Sequence, residues 1–336
     1  MASTVLTPDE LDRYLDHIRL PRKFRRDKNP ARDLAFLTAL HVHHISTLPY
    51  ENLSLHYASD VNVSLDPHEI LGKFLSNGRG GYCMEHSIFF NNVLRVLGFQ
   101  VYLTGARARP RKNGVPFGDY MGWVHVVNII TLADGTKWVS DTGFGGDQMR
   151  QPVPLVENHV SQNIGPQQIR LSREHIDNAT NTSAEKPATW IYQYRNGADQ
   201  GWNSFFCFTE TEFLHQDFEV LNYYTSRCPQ SFQTFTPLVV KFLRRDREGG
   251  GSAETGEIYG KLMLVNGDVK ENLGGKTRLV RSCKSEPERL EALRDVFGMT
   301  LTEEEQAGIR GRVSELVPNQ GNYDAGMTIE GSADVG

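Results

Sequence analysis

A thiol, an imidazole and a carboxylate in three short segments of this 336-residue chain could together carry out acyl transfer. Cys83 follows two glycines in Arg79-Gly-Gly-Tyr-Cys-Met-Glu-His86. From there Met84, Ile88, Phe89, Val93, Leu94, Val96 and Leu97 recur at helical spacing, and Gly98 marks the stop. Cys83 is thus expected at the N-terminus of a helix of roughly 15 residues. Unpaired N–H groups and the positive end of the macrodipole favour a thiolate there. A thiolate can attack a carbonyl and hold the acyl group covalently. The plain alternative is a buried structural thiol.

A nucleophile of this kind needs a base, and the next segments supply one. Phe99 to Arg107 alternates as a strand, and a polar loop with proline and glycine follows from Ala108 to about Gly122. Two further strands, Trp123 to Leu132 and Thr136 to Asp141, flank Ala133-Asp134-Gly135, which is a hairpin signal. His125 lies early in the first strand and Asp141 ends the second. A two-residue turn would place Asp141 opposite Asn128, facing away from His125. A three-residue turn with Gly135 left-handed would place it opposite Val127. Only the second register makes His125 and Asp141 diagonal neighbours on one face. The carboxylate would then hold the imidazole through Nδ1, as in serine-protease triads. A lone strand histidine bound to backbone is the competing reading, and the nearby cysteine weakens it.

These residues resemble a known family. Arg79-Gly-Gly-Tyr-Cys83, the strand with His125, and Ser140-Asp-Thr-Gly-Phe-Gly145 look like the signature segments of arylamine N-acetyltransferases, in order and spacing. Leu48-Pro-Tyr-Glu-Asn-Leu53 resembles another family segment, as does Asp217-Phe218 with Asn222, Tyr224, Pro229, Ser231 and Phe232. The resemblance spans about residues 8 to 315. It implies a Cys83-His125-Asp141 triad, an acyl-coenzyme A co-substrate (acetyl-CoA above all) and an aromatic amine or hydrazine acceptor. It also implies no permanently bound cofactor. Arg227-Cys228-Pro229 stands where relatives often carry Thr-Ser-Pro beside the coenzyme.

Two uses of the glycines in Gly143-Phe144-Gly145 are open. Their N–H groups could approach the coenzyme pyrophosphate, or they could turn the chain after the Asp141 strand. The resemblance favours the first, and extends the coenzyme contacts to Tyr224 and Ser231. Tyr82, Phe117 and Trp123 are candidates for lining the acceptor pocket, with ordinary core as the alternative. The chemistry implied is ping-pong: Cys83 takes the acyl group, coenzyme A leaves, and His125 assists the amine. N–H groups at the start of the Cys83 helix would stabilise the oxyanion. A papain-like or transglutaminase-like enzyme acting on peptide or glutamine acyl groups would use the same three residues. A non-catalytic binding protein on this scaffold would require a broken triad, and all three positions are intact.

Composition fits a globular enzyme, with 39% hydrophobic and 23% charged residues. A net charge of −5 argues against nucleic acid as a partner. No run reaches the ~20 apolar residues of a membrane span, and the N-terminus lacks a signal-peptide apolar region. Four cysteines without a CxxC suggest neither a disulfide framework nor a metal site, so a cytoplasmic setting is expected. His41, His43 and His44 lack an acidic partner and read as a solvated helix end rather than metal ligands.

The expected fold is α+β with a cysteine-protease-like catalytic core. A helical bundle (1–100) carries the nucleophile, a β-barrel-like part (101–225) carries His125 and Asp141, and an α/β lid follows (226–317). Thr7-Pro-Asp-Glu10 is a capping box opening the first helix. Asp33 to Ser46 and His68 to Leu75 read as helices, as do Glu286 to Phe297 and Thr302 to Leu316. Ile176 to Pro187 reads as a polar insert and Arg244 to Gly256 as a solvated hairpin tip. Residues 318–336 read as a mobile tail.

Overall fold

The computed structural model describes residues 5–112, 114–181, 183, 188–245 and 256–318. Its first part is helical: α1 (Pro8–His17), α2 (Leu34–Thr47), a short strand β1 (Tyr50–Glu51), α3 (Ser54–Tyr57), α4 (Pro67–Phe74) and α5 (Cys83–Val96). The starts follow their caps. Thr7 and Glu10 close the expected capping box on α1, Asp33 accepts the Phe36 N–H ahead of α2, and Asp66 accepts from His68 and Glu69 ahead of α4. The helices bury Tyr14, Phe36, Leu40, Phe74, Phe89 and Val93 in one apolar cluster. Burying such side chains contributes roughly 1.5–3 kcal/mol each.

The middle part is an eight-stranded antiparallel, barrel-like sheet. Its strands are β2 (Gln100–Ala108), β5 (His125–Thr131), β6 (Lys137–Ser140), β7 (Val153–Pro154), β8 (Ser161–Gln162), β9 (Gln168–Glu174), β10 (Thr189–Arg195) and β11 (Asn203–Phe208), in the order β7-β6-β5-β2-β11-β10-β9-β8. The loop after β2 holds a small extra hairpin, β3 (Arg111–Lys112) with β4 (Val115–Pro116). α5 packs on β2 and β5, so the helix of Cys83 and the strand of His125 belong to one layered unit.

α6 (His215–Arg227) leads into a five-stranded sheet of β12 (Leu238–Arg245), β13 (Glu257–Val265), β14 (Asp268–Asn272) and β15 (Arg278–Ser282). Its remaining edge strand is β1, contributed by the first part of the chain. α7 (Glu286–Ala292) continues as one π-helical turn to Phe297, and α8 (Glu303–Gly308) is shorter than the expected helix to Leu316. The hairpin tip falls largely on residues 246–255 and the tail on 319–336, both outside the described residues, as are five positions of the polar insert. Among the described residues no helix is long and apolar enough to cross a membrane.

Candidate active site

The β5–β6 hairpin adopts the register that a triad requires. Asn128 pairs with Ser140 and Ile129 with Val139, which sets Asp141 opposite Val127. The turn spans Ala133 to Gly135, closed by Leu132 N–H to Thr136 O at 2.9 Å, and Gly135 sits at φ +82° as a three-residue turn demands. His125 and Asp141 then meet: Nε2 lies 2.7 Å from Oδ2, with both residues buried.

The ring nitrogen is the opposite of the one expected. Diagonal neighbours across a ladder lie about 7–8 Å apart, so the far end of the imidazole, Nε2, reaches the carboxylate. Nδ1 makes no hydrogen bond among the described residues. Asp141 spends its other oxygen on its own turn, accepting the Gly143 N–H at 3.0 Å. Phe144 and Phe206 stand edge-on to the His125 ring at 4.8 and 5.5 Å between centroids and confine it.

Cys83 opens α5 as expected, with Tyr82 at the cap position and the Glu85 carboxylate accepting the Tyr82 N–H. Its Sγ lies 3.9 Å from the Val124 carbonyl oxygen, beside the start of the His125 strand. Gly143 makes the approach possible. A Cβ there would stand 2.8 Å from the Cys83 Cα and 3.2 Å from the His86 Cβ, so only glycine fits.

Cys83 is 4% exposed. Burial pushes its thiol up, and the Asp141 carboxylate adds to this, while the N–H groups of Met84 and Cys83 pull it down. The net direction is upward. The helix end therefore does not by itself make a thiolate, contrary to the sequence expectation, because desolvation outweighs it.

An ionic network anchors the segment before Cys83. Arg79 donates to Glu51 at 3.0 Å and to Ser54 at 3.0 Å, and it pairs with Glu305 of α8. Lys73 reaches Glu85 at 2.8 Å. Burial opposes ionisation of Glu51, but Arg79 and Lys73 overcome it and hold the carboxyl down at about 2.

The other expected site residues divide. Tyr82 is buried, with its hydroxyl on Asn222 and Thr225. Trp123 packs against the cluster that contains Cys83, edge-on to Phe213 and under Arg107. Phe117 does not join them; it is 59% exposed beyond the β3–β4 hairpin. Tyr224 is 44% exposed on α6, and the Ser231 hydroxyl is committed to the Thr225 carbonyl at 2.7 Å. The N–H groups of Gly143, Phe144 and Gly145 are all taken, the first by Asp141 and the others by the Gln148 side chain. In this conformation none is open to a pyrophosphate.

The void beside Phe144, Gly145 and Tyr50 is only about 10 Å³. A cleft of about 980 Å³ lies nearby, walled by Ile88 and Asn91 of α5, Leu103 of β2, and Phe213 and Asn222 beside and on α6.

The three α2 histidines are buried, not solvated. His41 bonds Ser140 and the Met149 carbonyl, His43 the Ile18 carbonyl, and His44 both Tyr14 and His86. No group of metal-ligating side chains occurs among the described residues. Gln148 and His86 escaped the sequence reading because neither has a local signal; their partners are set by the fold.

A family model described as N-acetyltransferase matches residues 33–306. The chain belongs to the arylamine N-acetyltransferase family. It is an acyltransferase whose family acts on amines. Within that family it is 33% identical to "N-malonyltransferase FDB2" of Fusarium pseudograminearum, covering 89% of this chain and 91% of that one. It is 31% identical to the arylamine N-acetyltransferase of Escherichia coli, over 58% of this chain and 62% of the relative. Among solved structures, the Nocardia farcinica arylamine N-acetyltransferase superposes at TM-score 0.69 with 26% identity, over 89% of this chain and 92% of that one. The Mycobacterium marinum enzyme, solved in complex with CoA, shares the fold at TM-score 0.70 and 20% identity, over 91% and 99% of the two chains.

Proposed function

We propose that this protein transfers an acyl group from acyl-coenzyme A to the nitrogen of arylamines, hydrazines or hydroxylamines through a thioester on Cys83. The observation that carries the reading is the His125 Nε2–Asp141 Oδ2 hydrogen bond at 2.7 Å on the strand that flanks the Cys83 sulfur. With Asp141 on Nε2, the proton of a neutral imidazole is fixed there and Nδ1 is left basic. Nδ1 takes the proton of Cys83 as Sγ attacks the thioester carbon. The carbon–sulfur bond to coenzyme A breaks, and the departing thiolate takes that proton. In the second half the amine nitrogen attacks the Cys83 thioester and gives its proton to Nδ1. Collapse forms the amide and returns Cys83 to the thiol. The N–H groups of Cys83 and Met84, the donors nearest the sulfur, suit the developing oxyanion.

Membership of this family weighs against peptide or glutamine acyl groups as substrates. Acetyl is the expected cargo. A second reading, malonyl, is supported by the likeness to the N-malonyltransferase, which runs nearly end to end, whereas that to the bacterial acetyltransferase covers 58% of the chain. The proposed substrate class supports a role in xenobiotic detoxification, and four cysteines without a CxxC support a reducing, cytoplasmic setting. Incubation with acetyl-, propionyl- and malonyl-CoA and an arylamine, with amide formation measured for each donor, tests the reading. Amide from at least one donor is expected, and its rate order names the acyl group. Peptide cleavage or glutamine crosslinking without amide would overturn it.

A further inference from the structure

The turn that carries Asp141 is closed from within by a side chain outside the triad. Gln148 is 2% exposed, and its Oε1 accepts two consecutive backbone N–H groups, those of Phe144 and Gly145, at 3.0 Å each. Its own N–H bonds the Gly145 carbonyl at 3.3 Å, and its carbonyl receives the Asn163 amide at 3.2 Å. The segment from Asp141 to Gln148 is therefore gripped at both ends, by the Asp141 carboxylate on Gly143 and by Gln148 on the next two residues.

Phe144 lies between the two grips. Its ring stands edge-on to His125 at 4.8 Å and packs on Phe205 and Phe206 at 4.4 and 4.8 Å. The backbone of Phe144 is fixed by Gln148, and the ring of Phe144 limits how far the imidazole can swing about its bond to Asp141. We propose that Gln148 is a positioning residue for the triad: through Phe144 it sets the direction in which His125 presents Nδ1. The inference rests on the reading that Cys83, His125 and Asp141 transfer acyl groups. Gln148 touches no reacting atom. Without its oxygen, two buried N–H groups lose their acceptor at once, and the loop must rearrange to find another.

Two variants separate positioning from mere structure. Gln148→Leu keeps most of the volume and removes the acceptor. Gln148→Glu keeps the acceptor oxygen, replaces the NH₂ group with a second oxygen, and adds a negative charge on the far side of Phe144 from His125. Two readouts apply to each: the rate of Cys83 acylation by acyl-CoA, and its alkylation by iodoacetamide as a function of pH, which needs no acyl donor. Gln148→Leu is expected to slow both at least tenfold while leaving the KM for acyl-CoA within about twofold. Gln148→Glu is expected to restore most of the rate, with the acid limb of its pH profile moved upward because the added charge favours the imidazolium.

The proposal is overturned if Gln148→Leu reacts at the wild-type rate in both assays, or if Gln148→Glu is as slow as Gln148→Leu with an unmoved profile. Were wild-type Cys83 to take no acyl group while alkylation followed the expected pattern, the functional reading would fail and the positioning role would stand.

Discussion

His125 Nε2 and Asp141 Oδ2 are 2.7 Å apart across a hairpin whose three-residue turn fixes their register. In the proposed mechanism this bond decides which nitrogen serves Cys83, since a carboxylate oxygen on Nε2 keeps the proton there. Asp141→Asn preserves the shape but can present its NH₂ group to Nε2, which favours the wrong tautomer. A fall in kcat/KM of about 10⁴ is expected by analogy with triads altered in this way. Steady-state kinetics with an arylamine acceptor checks it, and a loss below tenfold would count against the role of Asp141.

In the proposed mechanism Cys83 owes its reactivity to His125 rather than to the helix end, because burial and Asp141 together push the thiol up. In His125→Asn the sulfur has no base to receive its proton. Alkylation of Cys83 by iodoacetamide at pH 7 is expected to drop by more than tenfold and to recover only above the ordinary thiol range. Peptide mapping by mass reads the rate, and labelling as fast as in the wild type would contradict the assignment.

Gly143 is the contact between the two halves of the site. Adding a methyl group there drives Cβ into the Cys83 backbone at 2.8 Å, so Gly143→Ala must move α5 away from the Asp141 turn. Misplacement by about 1 Å can cost on the order of a hundredfold in rate. We expect a loss of that size in kcat/KM with a smaller change in the urea midpoint. Unaltered kinetics would show that the two segments do not need this approach.

Acid should unfold the protein through its buried histidines. Burial lowers His41 and His86 to about 4 and His56 to about 3, and it also holds His44 well below its ordinary value. A depressed folded-state pKa means that the unfolded chain binds protons first as pH falls through 6.5. The stability these neutral rings contribute is thus complete above pH 6.5 and is lost progressively towards pH 4. Each contributes a slope approaching about 1.4 kcal/mol per pH unit in that window. Urea midpoints measured from pH 7.5 down to pH 4.5 should fall steeply below pH 6.5, and a flat profile would refute the neutral assignment.

Much of the site was legible because its determinants are local. The glycines before Cys83, the apolar spacing after it and Gly135 in the turn each act within a few residues, and together they place the helix, the strand and the register. What depends on distant partners was not legible. α6 was missed because Val220 and Tyr223 point outward at 70% and 68% exposure, which blurs the buried face of Phe218, Leu221 and Thr225. His41, His43 and His44 read as solvated because their partners are distant in sequence: Ser140 in β6, Tyr14 in α1, Ile18 just after it and His86 in α5. The choice of Nε2 over Nδ1 depends on how far a ring must reach, which residue types do not encode.

The covalent intermediate is the central claim, and one measurement tests it directly. The protein is mixed with excess acyl-CoA in the absence of any amine, and free coenzyme A and the mass of the Cys83 peptide are followed together. Release of about one equivalent of coenzyme A, matched by an acyl adduct on Cys83 and absent in Cys83→Ala, is the expected result. Coenzyme A released only after an amine is added, with Cys83 unmodified throughout, would contradict the thioester mechanism.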